Sequence, residues 1–392
     1  MSLGPEVLIV AGEASGDALG GELVAAAGAL RPDVRFFGAT GALLEAAGAE
    51  RVVATRELAV MGLVEVVGHL PAIWRALRRL EAEAAVRRPA GAILIDAPDF
   101  NLRLAGRLHA RGIPVIGYVS PSVWAWRAGR IRSMERSLRR LLVTLPFEPA
   151  AYAGSSLDVV YVGHPAVDRV ATGGVPAAGG PDRAALAARL GLLADAPWVA
   201  LLPGSRAAEL GRLGSLFAEA AAAVQRAVPT AQFLAPVAPT CSPDEVAEAL
   251  AGGPAVTLVT EDRYAALGGC RTALAKSGTG TLGLALLGVP HAVAYQVAPA
   301  TFALARLLVD TRHVGLPNLI AGRTVVPEFL QAAATPDALA APLITWLTDT
   351  DAWGAVAAGL RQVRDAVGPP GAAGRAARAA LEALELVPAA AA

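Results

Sequence analysis

The sequence is poor in the residues that build disulfide frameworks and metal sites. It has two cysteines, Cys241 and Cys270, and five histidines, none of which follow a His-x-x-x-His spacing. Two cysteines do not make a framework, and scattered histidines do not form the ligand cluster that zinc requires. We therefore expect a protein of the reducing cytoplasm that uses no metal and no cofactor.

An excess of charge of one sign and a P-loop signature are also missing. Lysine plus arginine and aspartate plus glutamate number 34 each. A balanced chain lacks the basic surface of a general nucleic-acid-binding protein, so we expect no nucleic acid partner. No P-loop signature occurs, which argues against binding of a P-loop nucleotide.

Long uninterrupted hydrophobic runs are absent too, although hydrophobic residues make up 54% of the chain. The longest stretch without a charged residue, 277–305, is interrupted by glycines and prolines. It predicts helix, strand, loop and helix rather than a membrane span. Residues 1–6 lack the basic region of a signal peptide, and the apolar run 7–11 is short for one, so we expect a first strand there.

The sequence does contain a series of short apolar runs that alternate with helical patterns. Such alternation indicates parallel sheets that are covered on both faces. Together with the length of 392 residues, it predicts an α/β protein with two doubly wound, Rossmann-like domains facing a cleft. The first series of predicted strands comprises residues 7–11, 34–37, 90–95, 114–119, 141–145 and 159–162, and the second comprises 198–202, 232–235, 256–259, 272–275 and 291–295.

The clearest domain boundary is residues 172–181, a flexible stretch of glycine, proline and alanine without charge. We therefore predict one Rossmann-like domain over 1–170 and a second over 171–345. Residues 346–392 are predicted as C-terminal helices and a tail, because an alanine-rich helical pattern covers 373–386.

Two strand-to-helix turns of the second domain have the composition of an anion site. Residues 202–206 read Leu-Pro-Gly-Ser-Arg, and residues 277–281 read Ser-Gly-Thr-Gly-Thr. Turns of this kind present backbone N–H groups and the positive end of a helix to an anion. Arg206 adds a planar guanidinium that matches phosphate oxygens. The pair predicts a diphosphate site; a surface arginine at 206 and a plain N-cap at Ser277 are the alternatives.

Seven short motifs stand in the order and spacing found in lipid-A-disaccharide synthases, and the chain resembles that family over roughly residues 7–331. The motifs are GEASGD at 12–17, DAPDFN at 96–101, SPSVWAWR at 120–127, LPFE at 145–148, GHP at 163–165, LPGSR at 202–206 and LPNL at 316–319.

The resemblance implies an inverting glycosyltransferase of GT-B architecture that needs no metal. Such an enzyme joins UDP-2,3-diacylglucosamine to 2,3-diacylglucosamine 1-phosphate, releases UDP and forms the β-1,6 lipid A disaccharide. Domain 1–170 would bind the acylated acceptor, and domain 171–345 would bind the UDP-sugar. The enzyme would lie in the cytoplasm, in peripheral contact with the anionic cytoplasmic face of the inner membrane.

The resemblance also assigns roles to particular residues. In an inverting transfer a base removes the proton of the acceptor hydroxyl while UDP departs. Asp96 matches the family's general base, with a plain turn aspartate before Pro98 as the alternative and Asp99 as a close competitor. Arg206 would stabilise the diphosphate. The predicted substrate-binding residues are Glu13, Ser15, Gly16, Asp17, Ser205, Ser277, Gly278, Thr279, Thr281 and Asn318. Ser15 as a helix cap and Asn318 as a turn residue are the alternatives there.

Two positions depart from the family pattern. Where the family usually has Thr-Leu-Glu after the Ser-Gly-Thr turn, this chain has Gly283 in place of the glutamate, and the family's Tyr-Arg is here Tyr-Gln, ending at Gln296. The resemblance implies that a ribose contact and a cation near the nucleotide are lost. One charged hydrogen bond is worth about 1.5–3 kcal/mol of binding.

An apolar segment at 58–67 continues at helical spacing through Leu70, Ile73, Trp74 and Leu77, with arginines on both sides. It predicts a membrane-facing surface, and a core helix with a solvated basic face is the alternative. Two other functions remain open. One is another GT-B enzyme, such as a transferase with a different acceptor or a UDP-sugar 2-epimerase. The other is a binding paralogue with impaired turnover.

Overall fold

The computed structural model describes residues 4–58, 63–123, 129–173, 182–297 and 312–388, without the side chains of 63–70. The chain divides into two compact units. Unit 1 comprises Met1–Pro165 and Gly371–Ala392, and unit 2 comprises Ala166–Pro370. Each unit is built around one parallel sheet with apolar clusters on both faces, as the alternation of apolar runs and helical patterns predicts.

The sheet of unit 1, as far as the structure describes it, has seven parallel strands in the order β3-β2-β1-β4-β5-β6-β7. The strands are Glu6–Ala11 (β1), Arg35–Thr40 (β2), Glu50–Ala54 (β3), Gly91–Ile95 (β4), Val115–Tyr118 (β5), Arg140–Val143 (β6) and Val159–Tyr161 (β7). The helices between them are Ala14–Leu30 (α1), Ala42–Ala46 (α2), Leu63–Arg87 (α3), Pro98–His109 (α4), Arg130–Ser137 (α5) and Glu148–Ala151 (α6).

Side chains of unit 1 alternate between two apolar layers. Leu8 and Val10 of β1 pack on one face of the sheet with residues of α3 and α4, and Val7 and Ile9 pack on the other face with residues of α1. Because successive strand residues point to opposite faces, a sheet covered on both sides requires a continuous apolar run. Leu77 of α3 is part of this core, so that member of the predicted membrane-facing series faces the protein interior.

The sheet of unit 2 has six parallel strands among the described residues, in the order β10-β9-β8-β11-β12-β13. The strands are Trp198–Leu202 (β8), Gln232–Pro236 (β9), Val256–Val259 (β10), Thr272–Lys276 (β11), His291–Tyr295 (β12) and Glu328–Leu330 (β13). The helices are Pro165–Thr172 (α7), Arg183–Leu190 (α8), Ala207–Ala227 (α9), Pro243–Ala249 (α10), Arg263–Gly268 (α11), Thr279–Leu286 (α12), Leu316–Ala321 (α13), Pro336–Thr348 (α14) and Thr350–Val367 (α15).

The C-terminal helix Ala372–Ala383 (α16) belongs to unit 1, whereas the sequence predicts a separate region over 346–392. Its alanines, among them Ala376 and Ala380, are buried in the same cluster as Leu23 of α1. Small side chains let the helix approach the sheet closely, and the tip of Leu384 lies where a Cβ on Gly91 of β4 would be. The contacts that bring α16 to unit 1 join residues far apart in sequence, so a boundary drawn from composition does not contain them.

Several other predictions differ from the structure in detail. The edge strands β3 and β13 are not predicted, because their uninterrupted apolar runs are only three and two residues long. The first unit ends at Pro165, so α7 packs with unit 2, and residues 174–181 of the predicted boundary lie outside the described residues. The second helix predicted within 277–305, which begins near Thr301, also falls outside them. None of the described helices has the length and apolar composition to cross a bilayer.

Candidate functional site

Each sheet has a switch point at which the strand order reverses. In unit 1 the chain runs from β1 outward to β3 and then returns to β4 on the other side of β1. In unit 2 the same change occurs between β8 and β11. Doubly wound sheets bind ligands at the carboxyl ends of such strand pairs. Most of the predicted site residues follow these four strands, with Asp96 after β4 and Arg206 after β8.

The turn after β4 is held in a conformation that residues with side chains rarely adopt. Asp96 and Ala97 have φ angles of 53° and 41°, which cost about 1–3 kcal/mol each. The Nδ2 atom of Asn101 donates to the carbonyl oxygens of Ile95 and Asp96 at 3.0 and 2.7 Å. A Cβ on Gly12, at the end of β1, would lie 2.2 Å from the Cβ of Ala97. Asn101 of α4 and Gly12 after β1 therefore maintain the strained turn that presents Asp96.

Asp96 lines a pocket of about 190 Å³, together with residues that include Asp99, Ser122 and Arg130. Burial raises the pKa of the Asp96 carboxyl above its ordinary value of 3.8, and the backbone N–H of Ala97 offsets part of that rise. Asp99 has a different environment, because its side chain is 78% exposed and forms an ion pair with Arg130. A desolvated carboxylate suits the uptake of a proton better than an exposed, paired one.

The turn after β1 separates into exposed and buried residues. Helix α1 begins at Ala14 with Glu13 as its N-cap, and no side chain caps it. Ser15 is therefore not the helix cap, and it lies exposed on the first turn. Gly16 is buried, with space for a Cβ only in ordinary contact with β1 and β4. Glu13 and Ser15 remain the predicted substrate contacts of this turn.

Asp17, by contrast, has a structural role. The residue is 6% exposed, and its carboxylate accepts hydrogen bonds from the backbone N–H groups of Gly41, Leu43 and Leu44 at 2.7, 3.0 and 3.2 Å. These are the first amides of α2, which has no side-chain cap of its own. Asp17 of α1 thus caps the N-terminus of α2, and its carboxylate oxygens are used by these hydrogen bonds.

We expect Asp17→Ala to lower the free energy of unfolding by about 2–4 kcal/mol, because it leaves buried amides without an acceptor. Asp17→Asn should lower the free energy of unfolding by less, since the amide oxygen still accepts hydrogen bonds. Urea denaturation monitored by circular dichroism measures the effect, with Ser15→Ala, exposed on the same turn, as the control. An Asp17→Ala protein as stable as the Ser15→Ala protein would contradict the structural role.

In unit 2, Glu209 joins the two predicted diphosphate turns. One carboxylate oxygen accepts from the Ser205 N–H at 2.9 Å, and the other accepts from Lys276 Nζ at 2.8 Å. Arg206 Nη1 lies 4.0 Å from the same carboxylate. Burial would raise the pKa of Glu209, but the bonds from Lys276 and Ser205 hold it below its ordinary value. One ionised carboxylate therefore places Arg206, Lys276 and both turns beside each other.

The hydroxyl groups of the second turn are not all available to a ligand. Ser277 Oγ donates to the Val314 carbonyl at 2.7 Å, and Thr281 Oγ1 donates to the Gly278 carbonyl at 2.7 Å. Both side chains are buried. Thr279 is exposed at the start of α12, and Gly278, with a φ of 154°, is the uncapped N-cap. What this turn offers an anion is thus the Thr279 hydroxyl and backbone N–H groups.

Asn318 is fully buried, and its amide is saturated with hydrogen bonds. Its Oδ1 accepts from the N–H groups of Val325 and Val326 at 2.7 and 3.0 Å. Its Nδ2 donates to the Val326 carbonyl at 2.8 Å and to Glu328 Oε1 at 2.7 Å. An Asn side chain has two donor hydrogens and two acceptor sites. All four are used within unit 2, so the described structure gives Asn318 a loop-holding role.

Glu328 is the centre of that loop. Its carboxylate accepts from the N–H groups of Val314 and Gly315 at 2.9 Å each, and from Asn318. Because Val314 also receives the Ser277 hydroxyl, the chain of contacts reaches the second diphosphate turn. Glu328 therefore fixes the segment against which that turn rests.

The two departures from the family pattern have different surroundings. A Cβ on Gly283 would meet the ring of Tyr264 at 3.4 Å, so an aromatic side chain lies beside the missing glutamate. The Gln296 side chain donates to the Gln331 carbonyl at 3.3 Å. The Gln331 side chain in turn exchanges two hydrogen bonds with the backbone of Val297, each 3.1 Å. Position 296 thus stabilises the end of the β12–β13 pair.

Four residues of these sites are not among those predicted from the sequence: Lys276, Glu209, Glu328 and Arg130. Lys276 carried a signal, because it is a single cation that ends an apolar strand directly before the Ser-Gly-Thr turn. Glu209 lies three residues after Arg206, the spacing at which helix side chains meet. Glu328 and Arg130 carried no such signal, since their partners lie ten or more residues away.

Solved structures confirm the predicted fold class. A kitacinnamycin glycosyltransferase matches with a TM-score of 0.61 and 18% identity, covering 97% of this chain and 99% of that one. A calicheamicin glycosyltransferase matches with a TM-score of 0.61 and 16% identity, covering 99% and 100%. A UDP-GlcNAc 2-epimerase from Neisseria meningitidis matches with a TM-score of 0.62 and 11% identity, covering 92% and 97%. The fold is that of the GT-B glycosyltransferases and sugar-nucleotide epimerases.

Comparison with sequence relatives identifies one family within that class of proteins. Residues 7–368 match the model of the lipid-A-disaccharide synthetase family. The chain is 41% identical to a lipid-A-disaccharide synthase of Syntrophotalea carbinolica over 94% of its length and 92% of the relative's. It is 44% identical to that of Myxococcus xanthus over 86% of both chains, and 41% identical to that of Pseudomonas aeruginosa over 89% and 91%. The chain belongs to the lipid-A-disaccharide synthetase family, which confirms the resemblance.

Proposed function

We propose that this chain transfers 2,3-diacylglucosamine from UDP to the 6-hydroxyl of 2,3-diacylglucosamine 1-phosphate, releasing UDP and forming the β-1,6 lipid A disaccharide. Family membership supports the reaction class. The observation that carries the assignment to residues is the Glu209 carboxylate, which gathers Arg206, Lys276 and two helix-initiating turns at the switch point of unit 2. Two cations and the backbone amides at the start of a helix make a site for a diphosphate.

The donor half of the proposal is a diphosphate site on unit 2. Arg206 supplies a guanidinium that is 53% exposed, and Lys276 supplies an ammonium at the base of the second turn. Gly278 and Thr279 contribute backbone amides and one hydroxyl, whereas the Ser205 N–H is bonded to Glu209. As the bond to the sugar breaks, negative charge grows on the β-phosphate, and preorganised donors of this kind stabilise it. Gly283 has no side chain that could hold the ribose hydroxyls, so we assign no residue to that contact.

The acceptor half is the pocket of unit 1. Asp96 is proposed as the base that takes the proton of the acceptor hydroxyl while the sugar is transferred in a single displacement. Its raised pKa brings its basicity closer to that needed near neutral pH. Glu13 and Ser15 are proposed contacts to the sugar. Asp17 is left out, because its carboxylate caps α2.

The acceptor is a lipid, so we also propose that unit 1 contacts the anionic cytoplasmic face of the inner membrane peripherally. Trp74 of α3 is 42% exposed, and Arg75, Arg78 and Arg79 beside it are exposed as well. An exposed aromatic ring among arginines is typical of a surface that enters the headgroup region of an anionic bilayer. The apolar residues 59–62 lie outside the described residues.

We expect the protein to float with anionic liposomes and to remain behind with neutral ones. Trp74→Ser should weaken the apparent affinity for anionic liposomes by roughly tenfold, since about half of a large apolar side chain no longer enters the bilayer. The matched control is Val86→Ser, which changes an 81% exposed apolar residue at the other end of the same helix. Equal flotation of all three proteins would refute this membrane surface.

The function itself is tested by incubating purified protein with both acylated sugars and measuring UDP release and the disaccharide by mass spectrometry. UDP release that depends on the acceptor supports the transferase. Conversion of a UDP-sugar to its 2-epimer without acceptor would favour the epimerase alternative. Binding of UDP-sugar with no product of either kind would favour a paralogue that has lost turnover.

A further inference from the structure

Arg130 is the cation of the Asp96 pocket within the part of the chain that the structure describes. It is the first residue of α5, and its side chain is only 17% exposed. An arginine side chain buried to this extent in a pocket wall is partly shielded from water. It would therefore interact more strongly with an anion than an exposed arginine does.

The ion pair that Arg130 forms with Asp99 contributes little stability. Asp99 pairs with it from the first turn of α4, but the Asp99 side chain is 78% exposed. Ion pairs with a solvated member contribute about 0–1 kcal/mol, because water competes for the exposed charge. A phosphate monoester carries more charge and presents several oxygens to the fork of an arginine. It can therefore replace the Asp99 carboxylate at Arg130.

We propose that Arg130 is the subsite for the phosphate monoester of the acceptor, and that Asp99 holds the guanidinium in place until the acceptor arrives. The inference rests on the proposed function, which supplies an acceptor with a phosphate at C1. Arg130 and Asp96 line one pocket of about 190 Å³. That volume is below the roughly 300–1,000 Å³ of sites for drug-sized ligands, and it suits a single sugar ring with its phosphate.

Arg130 also offsets the negative charge around Asp96. A phosphate brought beside Asp96 and Asp99 without a cation would place three anions together, and each would disfavour ionisation of the others. Arg130 provides the opposite charge that lets the acceptor enter while Asp96 remains a carboxylate. Phosphate binding and the ionised state of Asp96 thus depend on the same guanidinium.

The test compares the acceptor with a matched diacylglucosamine that lacks the phosphate. We expect Arg130→Ala to lower kcat/KM for the phosphorylated acceptor by about 10- to 100-fold, the value of one charge-assisted hydrogen bond. The value for the unphosphorylated acceptor should change less than threefold, and the KM for the UDP-sugar should stay unchanged. Arg130→Lys should recover part of the loss. The control is Arg136→Ala, exposed on the same helix.

Equal losses with both acceptors would overturn the proposal, because they would make Arg130 a residue that only maintains the fold. A rise confined to the KM of the UDP-sugar would overturn it too, since the anion would then be the donor diphosphate. An NMR titration that measures binding of glucosamine 1-phosphate separates this inference from the proposed function. This binding should be lost in Arg130→Ala even if the natural substrates give no turnover. Unchanged binding of glucosamine 1-phosphate would refute the subsite.

Discussion

Replacing Arg206 with alanine is expected to reduce turnover by about a hundred- to a thousandfold, while the protein stays folded. The expected loss is that of one preorganised donor to a developing negative charge, about 2.7–4 kcal/mol. Arg206 is half exposed, and its one described ion pair, to Glu209, spans 4.0 Å. Removing it therefore costs little stability. Steady-state UDP release under saturating substrates measures the effect on turnover.

The surroundings of Arg206 make this a sharp test. Arg212 lies exposed on the same helix, so Arg212→Ala controls for the loss of a positive charge on α9. Lys276 remains paired with Glu209 in the Arg206→Ala protein, so the two turns stay joined. Near-normal turnover in Arg206→Ala, with thermal stability equal to that of the wild type, would remove Arg206 from the catalytic machinery.

The central strands could be predicted from the sequence because burial on both faces leaves a continuous apolar run. The predicted strand at 198–202 coincides with β8, and the run at 7–11 differs from β1 by one residue. The turns after these strands could be predicted as well, since parallel strands bring their carboxyl ends to one edge of the sheet. Local pattern and topology are thus enough to place Asp96 and Arg206 at switch points.

The role of each polar side chain could not be predicted in the same way. Asp17, Ser277 and Asn318 belong to motifs at these edges, but each forms hydrogen bonds with backbone groups of another element. Such bonds join residues 7 to 37 positions apart, and the sequence carries no periodic signal of them. Whether a polar residue in a site motif faces a ligand or holds the loop depends on these tertiary contacts.

The largest expected loss is that of Asp96→Asn. Removing a general base typically lowers kcat by about a hundred- to ten-thousandfold, and the amide keeps the shape of the side chain. Binding of UDP should be unaffected, because the diphosphate residues belong to unit 2. The control is Asp33→Asn, which changes an exposed, ion-paired aspartate of the same unit. A large loss in Asp99→Asn with near-normal Asp96→Asn would transfer the role of base to Asp99.

The raised pKa of Asp96 gives this variant two further signatures. Because the carboxylate is the active form, kcat/KM should fall as the pH drops through that pKa, at a higher pH than for an ordinary aspartate. Asp96→Asn should abolish this acid limb. A carboxyl whose pKa is raised on folding contributes stability below its unfolded pKa and loses it as the pH rises through the folded pKa. The ionised carboxylate therefore destabilises the fold at neutral pH. Thermal melts should show Asp96→Asn at least as stable as the wild type at pH near 7, with that advantage shrinking in acid.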